Sequence, residues 1–248
     1  MAKRKVAANG KGSPGKAAGS VSGRLRIWRV ARRWLLRLAL AYAAVIFSLI
    51  VLFRFVNPPT TPYILSQTLS RDRIERRWTP LEGFSPVLAR SVVAAEDADF
   101  CLHGAFDLAA IRAAAEAGMH RGGSTIDQQV VKNVFLWQGH SWPRKVLEAL
   151  ITPVAELVWP KRRILELYLN LAETGKGAFG MTAAAARAFA VEPGRISEHQ
   201  AALLAAILPD PEGRNAAHPT PELRRRAQEI VSGARTIHAD GRAACFEH

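Results

Sequence analysis

Charged side chains disappear from the chain in one place. Between Arg37 and Arg54 the run LALAYAAVIFSLIVLF (38–53) is sixteen residues long without a charge. As a helix, residues 34–56 span ~34 Å at ~1.5 Å per residue, enough for a bilayer core of ~30 Å. Arg37 and Arg54 stand at its ends, where long side chains reach the headgroups. Next, NPPTTP (57–62) predicts a stiff, non-helical linker, and residues 63–84 carry no clear period. From Ser85 onward apolar positions recur every three or four residues, as in helices with one buried face. Ser85 and Pro86 read as an N-cap and first-turn proline before Leu88, Val92 and Ala95. Ser124 with Asp127 has capping-box spacing ahead of IDQQVVKNVFLW, and Ser197 with Gln200 repeats the signal ahead of a nearly all-apolar run. Pro143 opens a helix that Pro153 is expected to kink or divide. The segments KRRILELYLNLAE, MTAAAARAFA and PELRRRAQEIVSGARTI complete the series. No segment alternates at period two and no repeat is visible, so the fold is predicted to be mostly α. The divisions are a basic tail (1–33), a transmembrane helix (34–56), a lead-in (57–84) and a helical domain (85–248).

Composition changes this picture only once the charges are located. The 248 residues are 49% hydrophobic, ample for a core, and carry a formal charge of +13. Residues 1–37 hold eleven Lys and Arg and no acid, leaving 23 basic and 21 acidic side chains for the remaining 211 residues. A basic tail ahead of an apolar helix points to a cytoplasmic N-terminus, not to nucleic acid. FRFVNPPTTP offers no small-x-small cleavage site, which favours an anchor over a removed signal peptide. The Gly-, Ala- and Lys-rich first twenty residues read as disordered. Residues 221–248 read as one helix and a tail.

Four polar concentrations break the apolar pattern. In EDADFCLHGAFD (96–107) two adjacent carboxylates, Glu96 and Asp97, end a helix that is otherwise apolar. In RGGSTIDQQVVKN (121–133) a Gly pair precedes a helix start whose free N–H groups suit an anion, and Gln128, Gln129 and Lys132 share a surface. In RKVLE (144–148) both Arg144 and Lys145 reach Glu148 within one turn. KRRILELYLN (161–170) opens on three cations and ends on Asn170. Together they describe a site for an anionic substrate that also needs a base. For Asp97 and Asp107 a structural cap and a site role stay open; His103 reads as structural. Lys161 to Arg163 form either a solvated helix start or a grip on lipid headgroups. The aromatic stretch from Phe135 to Trp142 suits a membrane interface. Cys101 and Cys245 read as two unpaired thiols, and no zinc or nucleotide-loop pattern is present.

These four motifs, in this order, resemble the signature of the family-51 glycosyltransferases, over about residues 91–211. The resemblance implies a lysozyme-like helical domain held by one anchor outside a bacterial cytoplasmic (inner) membrane, the catalytic part being periplasmic. It implies polymerisation of lipid II into glycan strands, with inversion at the donor sugar and release of undecaprenyl diphosphate. On it, Glu96 is the general base and Glu148 a second essential glutamate, while Lys132, Arg144 and Lys145 hold the diphosphate. Ser124, Thr125, Gln128, Gln129 and Asn133 fill the donor-side motif. No cofactor is required, a divalent Mg or Mn ion at the diphosphate being optional. The partners it implies are lipid II, the growing strand, membrane lipids and other cell-wall or division proteins. Departures from the family pattern are Ala105 for Gly, Asp127 for Ser or Thr, His140 for a common Arg and Thr182 for an acid. They keep an impaired membrane-anchored scaffold as one alternative; a lysozyme-like hydrolase is the other. Against hydrolysis, a glycosidase must protonate a poor leaving group, whereas a diphosphate leaves already charged and needs cations, which these motifs supply.

Overall fold

The computed structural model describes residues 18–71, 73–116, 123–139 and 141–247; the expected disorder of residues 1–17, and His140, lie outside them. The chain divides into two units, residues 1–48 and 49–248. Helix α1 runs Ala18–Phe53, so residues 18–33, assigned by sequence to the tail, are helical. A helix nucleated in the apolar run propagates backward at little cost through residues such as Arg and Leu that favour helix. Its stretch Trp28–Phe53 is long and apolar enough to cross a membrane, and most of its large apolar side chains, Leu35, Leu38, Leu40 and Phe47 among them, are exposed.

In the second unit the segment without a clear period contains α2 (Pro62–Ser70), capped by Thr61 with Pro62 in its first turn, and a two-residue strand β1 (Glu75–Arg76). Then follow α3 (Pro86–Glu96), α4 (Leu108–Glu116), α5 (Ile126–Phe135), α6 (Trp142–Val158) and α7 (Lys161–Leu171). Strands β2 (Glu173–Gly175) and β3 (Ala178–Phe179) lead to α8 (Met181–Phe189), α9 (Glu198–Ile207), α10 (Pro221–Ala239) and the short α11 (Ala244–Glu247). Helices α3 and α5 to α10 were expected; α2, α4, α11 and the sheet were not. β3 pairs parallel with β1 and antiparallel with β2, in register Glu75↔Ala178 and Glu173↔Phe179. Strands of two or three residues are too short to display a period of two.

Two helix clusters make the core. After its capping box (Ser197, Gln200), α9 is apolar on every side and entirely buried from Ala201 to Ile207, with α3 and α10 packed around it. Separately, α5 packs against both α6 and α7. The end of α1 closes onto this second cluster. Phe135 lies between the rings of Phe53 (6.2 Å) and Trp159 (5.9 Å). Trp159 Nε1 donates to Ile50 O at 2.7 Å, and Arg163 donates to Phe53 O (2.9 Å) and Val56 O (3.0 Å), so the terminal carbonyls of α1 find partners within the unit. Phe135 and Leu136 are therefore core, not interfacial as the sequence suggested. Trp137 and Trp142 are exposed.

Pro153 does not divide α6, which is continuous. The buried face carrying Ile151, Thr152 and Ala155 holds the helix through the loss of one backbone donor. At the turn into α8, Gly180 adopts φ +84°, and a Cβ there would lie 3.0 Å from Asn170 O. Gly180→Ala is expected to cost about 1–3 kcal/mol, read as a lowered denaturation midpoint at unchanged slope.

Candidate functional site

The first carboxylate is placed by the end of a helix. Glu96 is the last residue of α3 and Asp97 its C-cap. Their side chains part. Asp97 turns inward: Oδ2 accepts from Ile126 N (2.9 Å) at the start of α5, and Oδ1 meets His103 Nε2 (2.7 Å). Glu96 lines a cleft of about 200 Å³, its Oε2 accepts from Gln129 Nε2 at 3.0 Å, and Tyr168 donates to the other end of the same amide at 3.2 Å. Burial pushes the Glu96 carboxyl above its ordinary value, against the Gln129 hydrogen bond and the charges of Arg226 and Lys132. Tyr168 and Arg226 are the residues sequence reasoning missed. Tyr168 lies inside the quoted motif KRRILELYLN; Arg226, on α10, lies outside every motif.

The second carboxylate sits in a neighbouring cleft of about 550 Å³ lined by Ser124, Gln128, Gln129, Lys132, Trp142, Arg144, Lys145 and Glu148. Glu148, on α6, is 2% exposed and takes Arg144 on Oε2 and Lys145 on Oε1. Arg144 also donates to Gly139 O (2.9 Å), and Lys145 to Ser124 Oγ (3.3 Å). Lys132 faces this group from α5, and burial pulls its ammonium below the usual lysine value, against the pull of Glu148 and Glu96. Gln129 thus touches Glu96 while lining the cationic cleft. Lys132 lies within electrostatic reach of both glutamates.

Other expected site residues take supporting positions. The capping box of α5 is formed by Thr125 and Gln128, one residue beyond the predicted Ser124–Asp127 pair, which frees Ser124 for the cleft. Thr125 also donates to Ala105 O at 3.0 Å. Asn133 is buried and accepts from Gln138, lining a neighbouring cleft of about 240 Å³ with Gln129 and Lys132. Asp127 is 2% exposed and paired with Lys161 Nζ at 3.0 Å, so it adds no charge to the cationic cleft. Burial, opposed by Lys161, still pushes its carboxyl up to about 6. Lys161 also lies 4.4 Å above the Phe100 ring and so is neither a solvated helix start nor free for headgroups. Thr182, where an acid was expected, is buried and hydrogen-bonded to Thr79 Oγ1 at 2.7 Å.

A divalent cation finds no ready donor set here. Asp97, His103 and Asp107 bring ligand atoms within 4.8 Å of one another. Yet Asp97 uses both oxygens, Asp107 Oδ1 caps Ala110 N at 2.8 Å, and His103 donates from Nδ1 to Gly104 O at 2.6 Å. Burial lowers the His103 imidazole, but the Asp97 and Gly104 hydrogen bonds and the Asp97 charge outweigh it and raise it overall. With Nδ1 on a carbonyl and Nε2 on a carboxylate, both ring nitrogens are occupied. Both Glu148 oxygens are likewise taken by cations. The trio is a brace across the loop, and the residues do not fit a metal.

The two sulfurs are bonded. Cys101, in the loop after Glu96, forms a disulfide with Cys245, Cα atoms 5.6 Å apart. The sequence reading of two free thiols fails because a separation of 144 residues says nothing about where α10 carries the chain afterwards.

Comparison with known proteins agrees with this geometry. Residues 63–235 match the model of a family described as Transglycosylase. The chain is 54% identical over 215 residues to a biosynthetic peptidoglycan transglycosylase of Jannaschia sp. (strain CCS1), covering 87% of this chain and 90% of that protein. Proteins of the same name from Caulobacter vibrioides (41% identical; 88% of this chain, 96% of that one) and Rhodospirillum centenum (43%; 82% and 90%) are also similar.

Proposed function

We infer the reaction from one premise: the chain belongs to the transglycosylase family. It is a peptidoglycan glycosyltransferase with a lysozyme-like domain, and it polymerises lipid II into glycan strands. The observation that carries this reading is a pair of adjoining clefts that share Ser124, one lined by the Glu96 carboxylate and the other by a cluster of cations, with Gln129 of the cationic cleft donating to Glu96. Glu96 accepts the proton of the acceptor sugar's 4-hydroxyl as its oxygen attacks the anomeric carbon of the donor. The bond from that carbon to the lipid diphosphate breaks with inversion, and the diphosphate leaves with the electron pair. Lys132, Arg144 and Lys145 stabilise the developing negative charge, as cations fixed in place before the reaction do. Glu148 holds Arg144 and Lys145 in place, and Gln129, itself held by Tyr168, aims the base. Ser124 is fixed by Lys145 at the same wall.

Residues 28–53 anchor the chain in the cytoplasmic membrane, with the cation-rich N-terminus inside and residues 57 onward outside. The exposed apolar row Trp142, Val146, Leu150 and Leu157 on α6 supports a catalytic unit lying against lipid. The test is incubation of the detergent-solubilised protein with labelled lipid II. Long glycan strands are expected; unconsumed lipid II would overturn the reading. Release of soluble fragments from finished peptidoglycan instead would identify a hydrolase.

A further inference from the structure

Residues 240–247 lie beyond the segment that matches the family, yet they grip the loop that follows Glu96. Arg242 Nη1 donates to Ala98 O (3.2 Å) and to Asp99 Oδ1 (2.7 Å), both on the wall of a cleft of about 200 Å³ that Glu96 also lines. Cys245 is bonded to Cys101, and Phe246, 3% exposed, packs on Phe100 with ring centroids 6.4 Å apart. The far side of the segment is itself held. Arg162 of α7 donates to Phe246 O (2.8 Å), and Arg90 of α3 pairs with Glu247 (2.8 Å). We propose that residues 240–247 form a strap that fixes the 97–103 loop beside the catalytic base, with Arg242 and Cys245 as positioning residues.

The proposal rests on the polymerase reading and adds a part the family match does not contain. The loop holds Asp97, whose bonds to Ile126 N and His103 join α3 to the start of α5. A loosened strap lets the loop drift and admits water beside Glu96. A displacement of ~1 Å at a reacting group can cost ~10²-fold in rate. The charged and titratable groups around Glu96 are Lys132 of α5, Arg226 of α10, Tyr168 of α7 and Asp97. Lys132, Arg226 and Tyr168 stay in place when the strap is cut; Asp97 moves with the loop, and its retreat favours the ionised Glu96 in the same direction as hydration does.

The experiment compares lipid II polymerisation by the full-length wild type, Arg242→Ala and Cys245→Ser. A second arm treats folded wild type with dithiothreitol, which gives two electrons and two protons to the disulfide, leaving thiols at Cys101 and Cys245 and closing into its own ring. Expected are a roughly tenfold or greater fall in kcat, a lipid II KM within about twofold, and an acid limb of the rate profile displaced to lower pH. The displacement is downward because a hydrated Glu96 loses its proton more readily. Variants that melt earlier yet keep wild-type kcat and pH profile would reduce the strap to a stability element and overturn the proposal. The reduced wild type decides the matter if a variant does not fold. A wild type that makes no strands would instead overturn the polymerase reading beneath it.

Discussion

Replacing Glu96 by Gln is expected to slow strand growth by ~10²–10⁴, the usual worth of a positioned general base. The amide keeps the shape of the carboxylate and can still accept from Gln129 Nε2, so the substitution removes basicity with little else. Burial raises the pKa of the Glu96 carboxyl, so the wild-type rate should fall as pH drops through a value above the ordinary carboxylate range. In Glu96→Gln that limb should be absent. The sign for stability runs the other way. A carboxyl with a raised folded pKa binds more protons folded than unfolded, so its contribution to stability shrinks as pH rises through that window. At neutral pH the wild type bears this cost and the amide does not; Glu96→Gln should melt no lower than wild type. A variant that grows strands at full rate, or is inactive only because it is unfolded, would remove Glu96 from the mechanism.

Glu148→Gln should fail for a different reason. Glu148 is held by Arg144, itself 8% exposed, and by Lys145, whose side chain is 44% exposed. Losing the buried partner strands the Arg144 guanidinium, a change worth ~3–5 kcal/mol where a buried pair is broken. The Lys145 contact is solvent-screened and adds little. For a domain of this size the loss corresponds to a fall in melting temperature of roughly 2–4 °C per kcal/mol. Activity should drop by ~10² even well below the melting point, because both cations that meet the diphosphate lose their orientation. Thermal unfolding by circular dichroism and strand synthesis in the cold separate the two effects. A variant with wild-type values of both would show that Glu148 supports neither fold nor cleft.

The contrast between these glutamates shows what the sequence could convey. RKVLE places Arg144 and Lys145 one turn from Glu148, so that ion-pair group was readable from helical spacing alone. The helix bearing Glu96, the capping box at Ser197 and the all-apolar α9 were legible for the same local reason. Contacts between distant segments were not. Asp127 looked like a charge at an anion site until α7 supplied Lys161 to it. The Cys101–Cys245 bond and the bond of Arg242 to Ala98 O join residues more than 140 apart, and nothing in either local pattern announces them. The three-stranded sheet escaped because its strands are shorter than the repeat that would reveal them. The aromatic stretch from Phe135 misled because the same composition suits a lipid interface and a ring stack.

The junction at the end of α1 bears on how the enzyme can be trimmed for work in solution. Cutting at the Pro-rich segment, say before Asn57, looks harmless on paper. It would take away Phe53 from the Phe135 stack and the carbonyls of Ile50, Phe53 and Val56, leaving Trp159 Nε1 without its acceptor and Arg163 with Glu166 and the Trp78 ring. A soluble version should begin ahead of Ile50 and replace the outward-facing Val51, Leu52 and Phe55 with polar side chains.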